Sequence, residues 1–301
     1  MTDKLRGTII PAVVPFDDAD GIDVDAFAYN VERWSRTDVA GYMVLGSNGE
    51  FRMLDDAESV RVVELAAELA GNKTLIVGVG RESLHHTRAF LDLLEPWYRR
   101  IDYVSVLTPS YFPKLMDAAA LRDYYTTIAD HSPVPVLLYI APGFANGVSI
   151  PPALLAELAD HPNIHGAKDT STNLMVDYQL AAGGRDDFAL LAGSLNNIMA
   201  DLSFGGPGGV VSAANYFPGE CARLTTMYHD GDHEGAYAYY VRLQRLVKAS
   251  GAKYGIVGVK ACMDVVGLRG GRPRRPVRPL DPETVAEIRR IIERDLPALA
   301  E

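Results

Sequence analysis

Cysteine is nearly absent: 301 residues contain two, Cys221 and Cys262, far apart and outside any C-x-x-C or metal-spaced cluster. That argues against a disulfide framework and a cysteine-ligated zinc site, and implies a reducing compartment. Positive charge is also short, with 29 Lys and Arg against 39 Asp and Glu and a formal net charge of -10. Binding to nucleic acid or to an anionic membrane surface is therefore not expected. The one contrary stretch, Arg269, Arg272, Arg274, Arg275 and Arg278 interleaved with Gly and Pro, reads as a solvated or interface segment. No apolar run approaches the length of a membrane span, and Met1 to Pro11 carries neither a secretory nor an organellar leader pattern. The expected address is the cytoplasm.

Cofactor signatures are missing as well. Gly78-Val79-Gly80 lacks the third glycine of a dinucleotide fingerprint, and the glycine-rich stretch Gly205 to Gly209 precedes a strand pattern instead of following one. His229 and His233 have ligand-like spacing, but Gly231 interrupts the helix that would align them. Neither an organic cofactor nor a metal is expected.

What the chain does have is apolar content, 48% hydrophobic against 23% charged, enough for a substantial core. Short β-branched runs alternate with helical patterns: Gly7 to Val14, Gly41 to Leu45, Thr74 to Val79, Tyr103 to Leu107, Val134 to Tyr139, Ile164 to Lys168, Phe188 to Ala192 and Gly209 to Ser212. Between them, apolar residues at three- and four-residue spacing, such as Val62, Leu65, Ala66 and Leu69, or Leu154, Leu155 and Leu158, predict crossover helices. Asp55 with Glu58 forms a capping-box pattern, and Pro151 with Pro152 suits a first helical turn. Eight such units predict an α/β fold of the (β/α)8 TIM-barrel type. The barrel core is assigned to 1–217, its last helix continuing to about 230, and 218–301 to C-terminal helices of the same unit (Tyr237 to Ser250, Lys253 to Val266, Pro282 to Leu296).

In such a barrel the chemistry sits at the C-terminal strand ends. Lys168 ends the sixth run, where a neutral amine could attack a ketone and form a Schiff base. Lys4, Lys73, Lys114, Lys248, Lys253 and Lys260 fall in the terminus, loops or helices, where a solvated surface charge is the ordinary reading. Tyr139 ends the fifth run, and its phenol could relay a proton in the same mouth; a buried tyrosine with one satisfied hydroxyl reads equally well. Gly46-Ser47-Asn48-Gly49-Glu50 follows the second run, and its consecutive N–H groups could cradle a carboxylate or form a plain βα turn.

At these residues the chain resembles the dihydrodipicolinate synthase and N-acetylneuraminate lyase family of class I pyruvate aldolases and dehydratases. The likeness spans nearly the whole chain through GSNGE at 46 to 50, TPSYF at 108 to 112, YIAP at 139 to 142, GAKDTS at 166 to 171, LAGS at 191 to 194 and GGPGGVVSAAN at 205 to 215. The resemblance implies a (β/α)8 barrel with C-terminal helices, assembled as a homotetramer of tight dimers. It implies Lys168 as the imine-forming lysine and Tyr139 as the proton relay. Ser47 is then the hydroxyl between Tyr139 and a second tyrosine, and the backbone of Ser47 and Asn48 the carboxylate cradle. Tyr111 is implied as the tyrosine that reaches into a neighbouring subunit's site, and Thr170, Gly193 and Val210 as substrate-site positions. Ser110 stands where lysine-biosynthesis members commonly have another tyrosine.

Those members also carry an arginine shortly after the YNVP-like motif, whereas this chain reads Gly143-Phe144-Ala145-Asn146-Gly147. A bidentate carboxylate clamp cannot be replaced by phenylalanine, which counts against lysine biosynthesis. Within the family the chain is similar to 4-hydroxy-2-oxoglutarate aldolases, through GSNGEF at 46 to 51, DHSPVPVLLY at 130 to 139, HPNIHGAKD at 161 to 169 and KYGIVGVKACMDVVGLRGG at 253 to 271. The last segment lies outside the chemistry. The expected activity is cleavage of a 4-hydroxy-2-oxo acid to pyruvate and an aldehyde such as glyoxylate. Dehydration or cleavage of a 2-oxo-3-deoxy sugar acid is the rival, and a non-catalytic 2-oxo-acid binder the third reading.

Overall fold

A computed structural model describes residues 2–171 and 174–299. Met1, Thr172, Asn173, Ala300 and Glu301, which the boundaries assigned above include, lie outside the described residues. Eight parallel strands close into a barrel in chain order: β1 (Gly7–Pro11), β2 (Gly41–Val44), β3 (Thr74–Gly78), β4 (Tyr103–Leu107), β5 (Val136–Ile140), β6 (Ile164–Asp169), β7 (Ala189–Ala192) and β8 (Gly208–Val210). The crossover helices are α1 (Val24–Ser35), α2 (Asp56–Leu69), α3 (Leu84–Leu93), α4 (Ala118–His131), α5 (Pro152–Ala159), α6 (Met175–Ala182), α7 (Ile198–Ser203) and α8 (Pro218–His229). The chain continues through α9 (His233–Ala249), α10 (Gly255–Val265) and α11 (Pro282–Asp295). This is a TIM barrel with C-terminal helices. Its strands lie between barrel interior and helical ring, so their residues are buried along their whole length, as in β3, β4 and β5.

Every expected strand is present, but several are shorter than their apolar runs. β1 stops at Pro11, after which the Ala12 N–H turns to the Met43 carbonyl and the Val13 N–H to Asn215 Oδ1. β5 starts at Val136 because Pro135 has no N–H to give a ladder and the Val134 N–H is taken by Ser132 Oγ. Beyond Val210 the chain tightens into a short 3₁₀ turn over Ser212–Asn215. The capping box of α2 is formed in both directions, with Asp55 Oδ1 accepting from the Glu58 N–H at 2.8 Å and Glu58 Oε2 from the Asp55 N–H at 3.0 Å. Leu69, expected on the buried stripe, lies at the exposed end of α2. The first C-terminal helix begins at His233, where Asp232 caps the Gly235 N–H, and not at Tyr237. The second begins at Gly255, whose φ of 62° breaks continuity with the preceding turn Ala252–Tyr254. Gly231, at φ 91°, separates His229 at the end of α8 from His233 at the start of α9.

The arginine-rich stretch is solvated as expected, with Arg269, Arg272, Arg275 and Arg278 exposed, and it is also tied to other parts of the chain. Arg272 pairs with Asp18 at 2.7 Å, Arg275 with Asp20, and Arg274 forks onto both oxygens of Glu58 at 2.6 Å each. Arg269 lies 4.3 Å above the Tyr29 ring. These contacts strap the segment after α10 to the loop between β1 and α1 and to the start of α2.

Candidate active site

Lys168 is the penultimate residue of β6 and Tyr139 the penultimate residue of β5, and the two are register partners. Side chains at one level of adjacent strands lean to the same face, so the lysine runs alongside the phenol. Lys168 Nζ lies 4.1 Å from the ring centre of Tyr139 and 3.8 Å from the sulfur of Met43 on β2. Lys168 is 4% exposed, and no carboxylate among the described residues pairs with it. Its immediate neighbours are thus an aromatic face and a thioether, which leave the nitrogen free for a reacting carbon.

The Tyr139 hydroxyl shares a 3.1 Å hydrogen bond with Ser47 Oγ. Ser47 opens a short 3₁₀ turn, Ser47–Gly49, bracketed by Leu45 at φ 55° and Glu50 at φ 52°. Non-glycine residues in the left-handed region cost roughly 1 to 2 kcal/mol each, so the rest of the fold must impose this shape. The turn leaves the backbone N–H groups of Ser47 and Asn48 without a hydrogen-bond partner among the described residues, as the first N–H groups of any helical turn are. Asn48 is locked sideways: its Nδ2 donates to Ser212 Oγ at 2.9 Å, and that hydroxyl donates back to Asn48 Oδ1 at 3.1 Å.

Ser47 and Asn48 line a cavity of about 390 Å³ together with Thr170, Gly193, Phe144 and Ser212, and with Gln244, Lys248 and Ile256 from the C-terminal helices. Ser47 therefore joins the cavity wall to the Tyr139–Lys168 pair. Thr170 follows β6, and its buried Oγ1 has no hydrogen-bond partner among the described residues. Gly193 follows β7 and donates its N–H to the Asp169 carbonyl at 2.6 Å; a Cβ there would lie 2.7 Å from that carbonyl and strike Thr170 Oγ1. Behind the lysine, Asp169 is fully buried against Ser171, whose N–H and hydroxyl it accepts at 2.8 and 3.0 Å. Burial pushes the Asp169 carboxyl up to about 6, against the pull of those two bonds.

The other expected positions lie elsewhere. Val210 is buried in the barrel wall as the partner of Ile9 and, like Lys168 and Tyr139, is not among the residues lining the cavity. Tyr111 is 73% exposed on the loop after β4, edge-on to Phe112, and its hydroxyl meets no described residue. That loop is held from below by Glu82, whose Oε2 accepts the N–H groups of Ser110 and Tyr111 at 2.7 and 2.8 Å. Asn146, at φ 48°, donates to the Ser110 carbonyl at 3.0 Å and so ties two loops together, whereas Phe144 faces the cavity.

Sequence reasoning missed several residues around this site. Arg52, two residues after the GSNGE motif, reaches the 142–147 segment from another loop, but its guanidinium is engaged by Glu82 Oε1 at 2.8 Å, Ser110 Oγ at 3.2 Å and the Phe144 carbonyl at 3.1 Å. Lys260, read as a surface charge, is 2% exposed and paired with Glu50. Lys248 lines the cavity. Only Arg52 carried a local signal, its closeness to the motif. Among the described residues no group of three or more His, Cys, Asp or Glu could hold a metal ion, and no helix is long and apolar enough to cross a membrane.

The chain as a whole is similar to known proteins. The profile of the Dihydrodipicolinate synthetase family matches residues 4–295. A probable mitochondrial 4-hydroxy-2-oxoglutarate aldolase of Emericella nidulans is 32% identical over 290 residues, covering 93% of this chain and 92% of that protein. A 4-hydroxy-tetrahydrodipicolinate synthase of Methanospirillum hungatei is 31% identical over 295 residues, covering 95% and 98%. Among solved structures, dihydrodipicolinate synthase from Thermotoga maritima superposes with a TM-score of 0.88 at 24% identity, covering 98% of this chain and 99% of that one.

Proposed function

Because the chain belongs to the Dihydrodipicolinate synthetase family of class I aldolases and lyases, we propose that it cleaves a 4-hydroxy-2-oxo acid through an imine on Lys168. The named example is 4-hydroxy-2-oxoglutarate, which would yield pyruvate and glyoxylate. The observation that carries the reading is the Ser47–Tyr139–Lys168 alignment, a nucleophile beside a phenol whose proton has a 3.1 Å exit. Lys168 adds to C2, and loss of water leaves a protonated imine. Tyr139, assisted by Ser47, takes the C4 hydroxyl proton; the C3–C4 bond breaks, its electron pair passes to the imine as an enamine, and the aldehyde departs. Protonation at C3 and hydrolysis then release pyruvate and the free lysine. The N–H groups of Ser47 and Asn48 and the hydroxyl of Thr170, unpartnered among the described residues, suit the 2-oxo acid's carboxylate. This route needs no resident cofactor, because the imine is the electron sink.

Relatives named as aldolase and as synthase match almost equally, so their names do not choose the substrate. The lining supports the aldolase reading: Phe144 stands in the wall, the nearby Arg52 guanidinium is taken up by Glu82, Ser110 and the Phe144 carbonyl, and Lys248 is the one cationic side chain among the described lining residues that could meet a distal carboxylate. The proposal includes a dimer in which Tyr111 of one subunit completes the relay of the other, and a tetramer built from such dimers; the exposed Tyr111, Phe112 and Leu115 fit a covered surface. The buried, unpaired thiols of Cys221 and Cys262 fit a cytoplasmic address.

The test is incubation with pyruvate and borohydride followed by peptide mapping, then a panel of 2-oxo acids. A reduced adduct on Lys168 with aldehyde release from 4-hydroxy acids is expected. Absence of the adduct removes the mechanism, and a dehydrated oxo acid formed without pyruvate release replaces cleavage by dehydration.

A further inference from the structure

Lys260 stands in the middle of α10, within the 253–271 segment that sequence reading left outside the chemistry. Its Nζ donates to the carbonyls of Val14 at 2.9 Å and Arg272 at 2.6 Å, and Glu50 Oε1 lies 2.8 Å away as a charge contact without hydrogen-bond angles. The Phe16 ring covers the ammonium at 4.6 Å. The three oxygens around Nζ belong to three stretches of chain: the segment after β1, the loop after β2, and the strap after α10. The second oxygen of Glu50 accepts the Arg274 N–H at 3.0 Å. Both side chains of the pair are nearly closed to solvent, 2% and 4% exposed.

Stability is a weak reason for such a pair. Taking two opposite charges out of water costs about as much as their attraction returns, and uncharged groups of similar volume often do as well. What the pair does fix is a shape. Glu50 follows the Ser47–Gly49 turn directly and holds a left-handed backbone conformation that its own residue type disfavours. Its carboxylate is anchored at both oxygens, so the backbone leading into it cannot relax. Three residues upstream, the Ser47 hydroxyl meets Tyr139.

We propose that the buried Lys260–Glu50 pair is the positioning device of the active-site turn, holding Ser47 where its hydroxyl reaches Tyr139. Lys260 and Glu50 touch no reacting atom; they act through Ser47. The kinetic readout rests on the imine reading of Lys168, and the structural readout does not.

The experiment compares the enzyme with the double variant Lys260→Met/Glu50→Gln, in which the charges vanish while the introduced amide oxygen can still accept the Arg274 N–H. Expected are a thermal midpoint within a few degrees of the parent, a pyruvate adduct on Lys168 still trapped by borohydride, and kcat lowered several-fold, to about the level of Ser47→Ala in the parent. Ser47→Ala supplies the deciding comparison, because coupled residues are non-additive. It should lower kcat several-fold in the parent and by less than two-fold in the double variant, whose Ser47 is already displaced. Hydrogen exchange of the peptide spanning 46–51 should accelerate at least ten-fold in the double variant. Should the double variant fail to fold, Glu50→Gln alone, which keeps both carbonyl contacts of Lys260, is read by the same criteria. An unchanged kcat, an equal effect of Ser47→Ala in both backgrounds, or unchanged exchange at 46–51 would overturn the proposal. If the parent forms no Lys168 adduct, the imine reading falls by itself, and the exchange measurement alone decides the role of the pair.

Discussion

Tyr139 and Lys168 occupy the same level of neighbouring strands, with the lysine nitrogen 4.1 Å from the centre of the phenol ring and the phenol oxygen turned to Ser47. Ring and hydroxyl thus have separable tasks. Tyr139→Phe keeps the ring beside the amine and removes the proton carrier, so the pyruvate adduct should still form while cleavage slows by about 10² to 10⁴. Ser47→Ala removes one hydrogen bond from the relay and should slow cleavage by roughly ten-fold or less. Single-turnover cleavage measured beside borohydride trapping checks both. Equal loss of trapping and cleavage in Tyr139→Phe would mean that the residue acts by packing alone.

Gly193 has no room for a side chain next to Thr170 and the Asp169 carbonyl. Gly193→Ala should destabilise by about 1 to 3 kcal/mol, a drop of several degrees in Tm for a chain of this size, and should weaken 2-oxo acid binding by pushing Thr170 aside. Gly219, in the first turn of α8, is the control, because a Cβ added there would meet nothing within 4 Å. Calorimetry of Gly219→Ala should show a neutral or slightly raised Tm.

Asp169 holds its proton more tightly folded than unfolded, with its carboxyl raised from an ordinary 3.8 to about 6. The folded state therefore binds more protons between those values, and this group's contribution to stability falls as pH rises from about 4 to about 6. A two-unit shift corresponds to at most about 3 kcal/mol. Buried Asp201, also raised, acts in the same direction, while the lowered carboxyls of Asp56 and Glu58 act oppositely. The difference between variant and parent isolates the residue. In Asp169→Asn the amide can keep both Ser171 contacts, so its Tm should rise relative to the parent as pH goes from 4 to 7. A pH-independent difference would show that another group carries the slope.

Lys248 lies exposed in the cavity wall, where a single charge contact contributes only about 0.2 to 1 kcal/mol. Lys248→Met should accordingly raise KM for 4-hydroxy-2-oxoglutarate by about two- to five-fold and leave a 4-hydroxy-2-oxo acid lacking the second carboxylate unaffected. Equal changes for both substrates would place the distal carboxylate elsewhere.

Tyr111 contacts nothing that its absence would unfold, yet the dimer reading makes it part of a neighbour's site. Mixing inactive Lys168→Ala subunits with weakly active Tyr111→Phe subunits should restore activity, because the intact lysine of one then meets the partner subunit's intact tyrosine. Random pairing gives about one working site in four. Activity no higher than the sum of the two separate preparations would confine each site to a single chain.

Much of this protein could be read directly from its sequence, and the reason is local. Strand runs, crossover helices, the Asp55–Glu58 box and the strand-end positions of Lys168 and Tyr139 are written in spacings of two to four residues, which backbone geometry converts into structure without distant partners. Family motifs then pointed to Ser47, Asn48, Thr170 and Gly193, which share one cavity wall, and to Val210, which like Lys168 and Tyr139 lies outside that wall. Only the closed barrel decided what each charge meets. Arg274 finds Glu58, and Lys260 finds Glu50 and the Val14 carbonyl, across more than two hundred residues of chain. Residue type and local pattern say nothing about such partners, because barrel closure alone brings those loops together. The same closure sets Ser47 within hydrogen-bond distance of Tyr139.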